Sequence, residues 1–174
     1  MKLIFYILLF NVSLCYAQED FINSHNDIYI KEGLIYKIKD DKLFTGTISF
    51  IKKNGTILSK EIFKNGYKLN EYEYYNKSAS GKVFKEIVYY KEKIHLQDAK
   101  FKIHKIILHH SNGQIYSVKH YDLDGDNILV EKFKDNTLTY SCEFKNGKKN
   151  GKEFCVTNDS DDKIILYSNG KKIN

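Results

Sequence analysis

Asn-Gly dipeptides recur along this chain and constrain its fold more than any other feature. Six of the ten glycines directly follow an asparagine. Asn-Gly is the preferred pair at the centre of a type I′ turn, in which both residues take positive φ and join two antiparallel strands tightly. We therefore expect a hairpin turn at each of these glycines, namely Gly55, Gly66, Gly113, Gly147, Gly151 and Gly170.

The turn positions are regularly spaced. Gly55 and Gly66 are 11 residues apart, Gly113 and Gly125 are 12 apart, and Gly147 and Gly170 are 23 apart. This spacing leaves strands of about six or seven residues, and two strands with two turns make a repeat of about 22 or 23. The sequence thus predicts an all-β fold, an antiparallel meander of consecutive β-hairpins.

Apolar and polar residues alternate between some of the turns, as in a strand with one buried face. The clearest case is 138–144, where Leu138, Tyr140, Cys142 and Phe144 alternate with polar residues. The segment 77–100 is less regular, and its apolar spacing is also compatible with a helix. We predict a strand there and keep the helix as the alternative.

The N-terminus has the three parts of a secretory signal. Lys2 precedes eight apolar residues, 3–10, and the small residues Cys15 and Ala17 stand where signal peptidase cleaves. We predict a signal peptide over 1–17, a linker over 18–31 and a repeat domain over 32–174, exported to the periplasm, cell envelope or exterior. Lipidation of Cys15 is a disfavoured alternative because Leu14, not a small residue, precedes it. No segment approaches the roughly 20 apolar residues of a transmembrane helix, so none is predicted.

The charge of the chain favours anionic partners other than nucleic acid. The sequence contains no arginine, its 28 basic residues are all lysines, and its net charge is +6. Bidentate reading of bases by arginine is therefore excluded, and export separates the protein from nucleic acid. An anionic membrane surface or an acidic protein remains a candidate partner. A solvated lysine-rich surface without a partner is the alternative.

Two stretches resemble the bacterial variant of the MORN repeat. The first, EGLIYKIKDDKLFTGTISFIKKNGTILSKEIFKNGYKL over 32–69, carries the G-x-Y, F-T-G and Lys-Asn-Gly elements in the family's order. The second, YSCEFKNGKKNGKEF over 140–154, departs from the pattern at Cys142 and Glu153, where the family has glycine. The resemblance implies a twisted or curled single-layer sheet of hairpins that contacts proteins or lipids without chemistry. Many members are labelled antitoxins, and an exported chain would fit an envelope immunity or scaffold role better.

The sequence YDLDGDN resembles a calcium loop but lacks two of its parts. Asp122, Asp124 and Asp126 alternate as calcium ligands do. Asn127 replaces the usual glycine, and Phe133 stands where a bidentate glutamate belongs. A plain Asp-Gly turn at Gly125 is the favoured interpretation.

Histidines are the other candidate metal ligands. A two-residue turn at 112–113 would place His109 opposite Tyr116 and Lys105 opposite His120. The two histidines would then lie about 13 Å apart, at about 3.3 Å per residue, too far to share a zinc ion. We predict no metal and no cofactor.

Cys142 and Cys155 are the two cysteines left after removal of the signal peptide. If the last long hairpin is centred between Lys148 and Lys149, these cysteines face each other and can form a disulfide in an oxidising compartment. A turn at 146–147 instead would place Gly151 opposite Cys142 and separate the thiols. We predict the disulfide and keep the second register as the alternative.

Tyrosines are concentrated in the middle of the chain among lysines. They could form an exposed surface for a peptide or a sugar, or the core of a thin sheet. The candidate interaction surface comprises Tyr72, Tyr74, Tyr75, Tyr89 and Tyr90.

No nucleophile, metalloprotease or phosphate-loop motif is present in the sequence. We therefore predict a non-enzymatic module that binds a protein or an anionic lipid surface. The alternative is a small secreted enzyme or metal-dependent binding protein that uses His104, His109 and His120 with the aspartates of 122–126.

Overall fold

The computed structural model describes residues 20–22, 27–75, 81–93, 101–156 and 162–173, and within them the regular structure is β. The predicted signal peptide, 1–17, lies outside these residues. The strands are β1 Asp20–Ile22, β2 Ile28–Lys31, β3 Leu34–Lys37, β4 Gly46–Ile51, β5 Ile57–Lys64, β6 Tyr67–Tyr74, β7 Val83–Lys93, β8 Phe101–His109, β9 Ile115–Tyr121, β10 Asn127–Lys134, β11 Thr137–Lys145, β12 Lys148–Val156, β13 Asp162–Ser168 and β14 Lys171–Lys172.

Strands β4 to β14 follow one another in both sequence and space. Each pairs antiparallel with the next, and β1 adds to the outer edge of β4 as a parallel strand. The predicted all-β meander of hairpins is therefore confirmed. Within 77–100 the structure contains the strand β7, as predicted, while 76–80 and 94–100 lie outside the described residues. Among the described residues, no helix is long and apolar enough to cross a membrane.

The turns fall into two classes. At Asn65-Gly66, Asn146-Gly147 and Asn169-Gly170 both residues have positive φ, as the prediction required. At Gly55 and Gly113 only the glycine does, and its N–H closes a three-residue turn by donating to Lys52 O or His110 O. Gly125 makes the same turn with Asp122 O. The prediction was wrong at Gly151, which lies inside β12.

One hairpin geometry recurs wherever an aromatic residue stands two positions before a two-residue turn. The aromatic residue pairs across the ladder with the residue five positions later. Phe63 pairs with Lys68, and the same offset joins Phe133 to Leu138, Phe144 to Lys149 and Tyr167 to Lys172. Residues directly opposed in an antiparallel pair share a face of the sheet. The repeat thus places an aromatic ring and, in three copies, a lysine side by side.

A continuous row of paired residues crosses ten strands and defines the faces of the sheet. The row runs through Ile48, Glu61, Glu71, Ile87, Ile106, Lys119, Val130, Cys142, Glu153 and Ile165. We call the face that carries this row the front face and the opposite one the back face. Because side chains alternate along a strand, the immediate neighbours of row residues lie on the back face.

The β2–β3 hairpin builds the main apolar core at the N-terminal end of the sheet. Ile35 packs there with Phe44, Ile48 and Phe63, and all four are buried. The turn glycine Gly66 joins the layers, because its carbonyl accepts Ile35 N–H at 3.1 Å and its own N–H donates to Phe44 O at 2.8 Å. The segment 18–31, predicted to be a linker, therefore contributes β1 and β2 to the fold.

Candidate functional site

The five tyrosines predicted as one surface are divided by the pairing of the strands. Tyr72 and Tyr74 lie on the back face, since they flank Glu71 and Glu73 of the front face. Tyr89 lies on the front face, where its hydroxyl donates to Glu71 Oε2 at 2.8 Å. Tyr75 and Tyr90 donate to backbone carbonyls, those of His109 and Tyr121, both at 2.7 Å. All five are half-buried.

Two of these tyrosines border an open cleft of about 540 Å³ at the end of β6, which we call the tyrosine cleft. Its lining includes Ser59, Glu71, Glu73, Tyr74, Tyr75 and Phe84. The rings of Tyr75 and Phe84 meet edge to face, with centroids 5.5 Å apart. Phe84 was not among the predicted site residues, because a register shift between β6 and β7 places it beside Tyr75.

The two carboxylates of the tyrosine cleft are held by lysines. Lys68 Nζ lies 2.8 Å from Glu71 Oε2, and Lys85 Nζ pairs with Glu73 Oε1. Burial opposes ionisation of Glu71, but the hydrogen bonds from Lys68 and Tyr89 outweigh it and hold the pKa of Glu71 below its ordinary value. Glu71 is therefore a charged hydrogen-bond acceptor at neutral pH. Burial raises the pKa of Tyr74, which stays protonated.

The predicted histidines each have a local structural contact. His104 stacks on Tyr90 with ring centroids 4.6 Å apart, and His120 Nε2 lies 2.8 Å from Glu131 Oε2. His109 Nδ1 lies 3.3 Å from Gly113 O. Lys105 does face His120, as predicted, but His109 faces Ile115 instead of Tyr116, because the turn contains three residues.

The aspartates of YDLDGDN form a turn. Asp122 Oδ1 accepts the backbone N–H groups of Asp124 at 3.0 Å and Asp126 at 2.9 Å. The favoured Asp-Gly turn is confirmed. The described ranges contain no group of three or more histidine, cysteine, aspartate or glutamate residues placed to hold a metal ion.

Both cysteines are free thiols, and the register predicted for their disulfide is wrong. The turn lies at Asn146-Gly147, and extra residues in β12 place Glu153 opposite Cys142 and Tyr140 opposite Cys155. The thiols are therefore displaced by two residues along the ladder, a diagonal whose Cα atoms lie about 7–8 Å apart, beyond ordinary disulfide geometry. Burial raises the pKa of the Cys142 thiol.

A second candidate surface lies on the back face at the C-terminal end of the sheet. Lys145 and Lys148 are paired directly across the last long hairpin. Lys152 lies four residues beyond Lys148 and pairs with Leu166, and Lys171 pairs with Ser168, so the alternation of side chains places all of them on one face. We call the set Lys145, Lys148, Lys152, Lys171, Ile164 and Ile173 the C-terminal basic patch.

The C-terminal basic patch combines unpaired cations with exposed aliphatic side chains. Its four lysines are exposed, and no carboxylate in the described part of the chain pairs with them. Ile164 and Ile173 are 61% and 63% exposed. An acid on this face, Glu143, accepts the Lys152 N–H at 2.9 Å. The sequence carried a signal for this patch, because lysines flank both Asn146-Gly147 and the end of Asn169-Gly170.

Comparison with known proteins adds little to this geometry. No protein-family model matches the chain, and no curated protein matches it. Among solved structures, the chain is similar to one described as "Crystal structure of GtfA/B complex bound to UDP and GlcNAc", with 10% sequence identity and a TM-score of 0.28. That similarity covers 64% of this chain and 23% of the other, so this chain spans less than a quarter of the length of its neighbour.

Proposed function

We propose that this protein is an exported, non-enzymatic binding module that attaches to an anionic lipid surface through the C-terminal basic patch. The observation that carries the proposal is the combination, on one face, of two exposed isoleucines and four lysines that pair with no carboxylate of the described residues. Lysines near an anionic membrane contribute about 1 kcal/mol each, and aliphatic side chains gain further free energy by entering the interface. The resemblance to MORN repeats supports the same proposal, because it implies contact with lipids or proteins.

The arrangement of the lysines favours an anionic partner. Directly opposed like charges destabilise an antiparallel pair, and Lys145 and Lys148 are such a pair. The N–H groups of Asn169 and Gly170 donate to Asn150 Oδ1 at 3.1 Å and to Lys149 O at 2.9 Å, which holds the last turn beside them. An anionic surface would relieve the repulsion between these ammonium groups. The affinity should therefore fall steeply as salt is added.

The alternative of an enzyme or metal-dependent binder has weaker support. His104, His109 and His120 are each engaged separately, by a ring, a turn carbonyl and a carboxylate. The Asp122 carboxylate is engaged in its own turn, where it accepts the backbone N–H groups of Asp124 and Asp126. An envelope immunity or scaffold role would be compatible with lipid attachment. The vesicle experiment described next tests the attachment and not that role.

Vesicle sedimentation tests the proposal. The purified protein should sediment with phosphatidylcholine vesicles that contain phosphatidylglycerol, and not with phosphatidylcholine alone. The double substitution Lys145→Glu/Lys148→Glu should weaken binding by at least about 25-fold, which is about fivefold for each lysine lost.

A matched control separates the patch from net charge. Lys53 and Lys134 are exposed, and both lie at the other end of the strands from Lys145 and Lys148. Lys53→Glu/Lys134→Glu changes the net charge by the same amount and should retain most of the binding. Equal loss in both double variants, or no sedimentation with anionic vesicles, would overturn the proposal.

A further inference from the structure

The tyrosine cleft has the features of a small-ligand site. Its volume of about 540 Å³ lies within the range of about 300–1,000 Å³ that such sites occupy. Aromatic rings form one side, with Phe84 36% exposed against Tyr75. Polar groups of β5 and β6 form the other side. The cleft therefore offers a ligand both a stacking surface and hydrogen-bond partners.

The polar side of the cleft holds hydrogen-bonding capacity that the described residues do not use. Oε1 of Glu71 and Oε2 of Glu73 accept no hydrogen bond from the described residues, since their lysines and Tyr89 contact the other oxygens. The Ser59 hydroxyl likewise has no hydrogen-bond partner among the described residues. These atoms lie on the same face, because Ser59 pairs directly with Glu73.

The charges of the cleft are already matched within the protein. Lys68 lies against Glu71 and Lys85 against Glu73, so the positions that a ligand cation would take are occupied by ammonium groups. A cationic ligand would meet Lys68 and Lys85 as like charges. The remaining capacity suits a neutral ligand that donates several hydrogen bonds and presents an apolar face to an aromatic ring.

We propose that the tyrosine cleft binds a neutral saccharide, with a sugar ring stacked on Phe84 and Tyr75 and its hydroxyls bound by Glu71, Glu73 and Ser59. A saccharide presents C–H groups on a face of its ring and donates hydrogen bonds from its edge. Each part of the cleft then has a role. Glu71, Glu73 and Ser59, which would bind the hydroxyls, lie on the front face, away from the C-terminal basic patch, so the site does not depend on lipid attachment.

Calorimetric titration with neutral oligosaccharides tests the site directly. Cellohexaose, maltohexaose and chitohexaose are suitable probes, with spermidine as the cationic comparison. At least one oligosaccharide should bind and shift the NMR signals of Ser59, Glu73 and Phe84. Phe84→Ala should weaken this binding at least about tenfold, through loss of the stacking surface.

Two further variants keep the experiment decisive. Ser59→Ala retains the aromatic side and should weaken binding severalfold, which covers the case in which Phe84→Ala fails to fold. Tyr72→Phe, on the back face, should bind as the unaltered protein does. Binding of spermidine in preference to every oligosaccharide, binding of none of them, or signals shifted only outside the cleft would each overturn the proposal. Vesicle binding would be unaffected by any of these outcomes.

Discussion

The side chain of Lys68 ties together three strands of the sheet. Its ammonium group lies 2.7 Å from Glu61 Oε1 and 2.8 Å from Glu71 Oε2, and 5.0 Å from the centre of the Tyr89 ring. Lys68 and Glu61 are each only 13% exposed. Contacts so well shielded from water are worth more than surface ion pairs, because removing one partner leaves the other desolvated without its opposite charge.

Replacement of Lys68 by methionine should therefore destabilise the protein by about 2 kcal/mol. The variant keeps the length of the side chain but leaves two shielded carboxylates close together. Urea unfolding measures the change. Lys132→Met is the control, because exposed Lys132 lies 5.4 Å from the ring of Tyr140 and pairs with no carboxylate in the described ranges. It should cost under about 0.5 kcal/mol. Equal effects would show that the carboxylate contacts add nothing.

The lowered pKa of Glu71 predicts acid sensitivity. A carboxylate whose pKa is lower in the folded state stabilises that state at pH values above its unfolded pKa, ordinarily 4.5, and this contribution is lost as pH falls through the folded pKa. The contribution of Glu71 to stability should thus be constant from pH 7 to about 5 and then decline. In Lys68→Met the decline should be shallower, because the larger of the two contacts that lower the pKa of Glu71 is absent while the Tyr89 contact remains. Urea midpoints over this pH range would decide, and parallel curves for the two proteins would contradict the assignment.

The hairpin turn at Gly66 differs from the other turns because backbone from another layer packs against it. A Cβ at Gly66 would lie 2.7 Å from Leu43 Cδ2 and 3.0 Å from Ile35 O, in a residue whose φ is +78°. A Cβ at Gly113, with φ of +91°, would meet nothing within 4 Å. The two glycines thus separate the cost of positive φ from the cost of close packing.

Gly66→Ala should destabilise the protein by about 2–4 kcal/mol, and Gly113→Ala by only about 1 kcal/mol. Thermal melts of both variants measure the difference. Gly66→Ala should also loosen the β2–β3 hairpin, since Gly66 bonds to both Ile35 and Phe44. A Gly113 variant as unstable as the Gly66 variant would show that φ alone sets the cost.

The sequence predicted the strands and turns well, and the registers of the strand pairs less well. The Asn-Gly pairs placed most of the turns, because few other dipeptides tolerate positive φ. The pair alone could not distinguish Asn65-Gly66, a two-residue turn, from Asn112-Gly113, which belongs to a three-residue turn. It also could not show that Gly151 lies in a strand, where Glu143 Oε2 would be only 1.9 Å from a Cβ.

Register shifts are the physical reason that the candidate sites were predicted only in part. A bulge adds a residue to one strand and shifts the register of every residue pair beyond it. Such a shift separated the two cysteines and brought Phe84 to Tyr75. No local pattern in the sequence marks where these bulges occur, so the tyrosines could be identified as candidates but not sorted between faces.

The whole molecule has an uneven distribution of buried side chains. The apolar core of Ile35, Phe44, Ile48 and Phe63 lies at one end, while beyond it the described strands form a row in which each contacts its sequence neighbours. In repeat architectures of this kind, stability is close to a sum of local and nearest-neighbour contributions. Stability should therefore differ along the sheet.

Hydrogen exchange should reveal this gradient. Amides of β4 and β5, beneath the core, should exchange most slowly, and those of β13 and β14 most rapidly, because β14 has only two residues to cover the edge of β13. Phe44→Ala removes a side chain that is 0% exposed and should cost about 3–5 kcal/mol. It should accelerate exchange in β4 and β5 far more than in β11 and β12. Uniform acceleration along the chain would indicate a single cooperative unit instead.

The thinness of the sheet also has a geometric consequence. From β6 onward the described strands place one backbone layer between the front face, which holds the tyrosine cleft, and the back face, which holds the C-terminal basic patch. Occupants of the two sites would not compete for space, and the intervening backbone would keep them at a fixed separation. If both sites are occupied as proposed, the chain would be a bridge, with one side attached to a membrane and the other bound to a glycan.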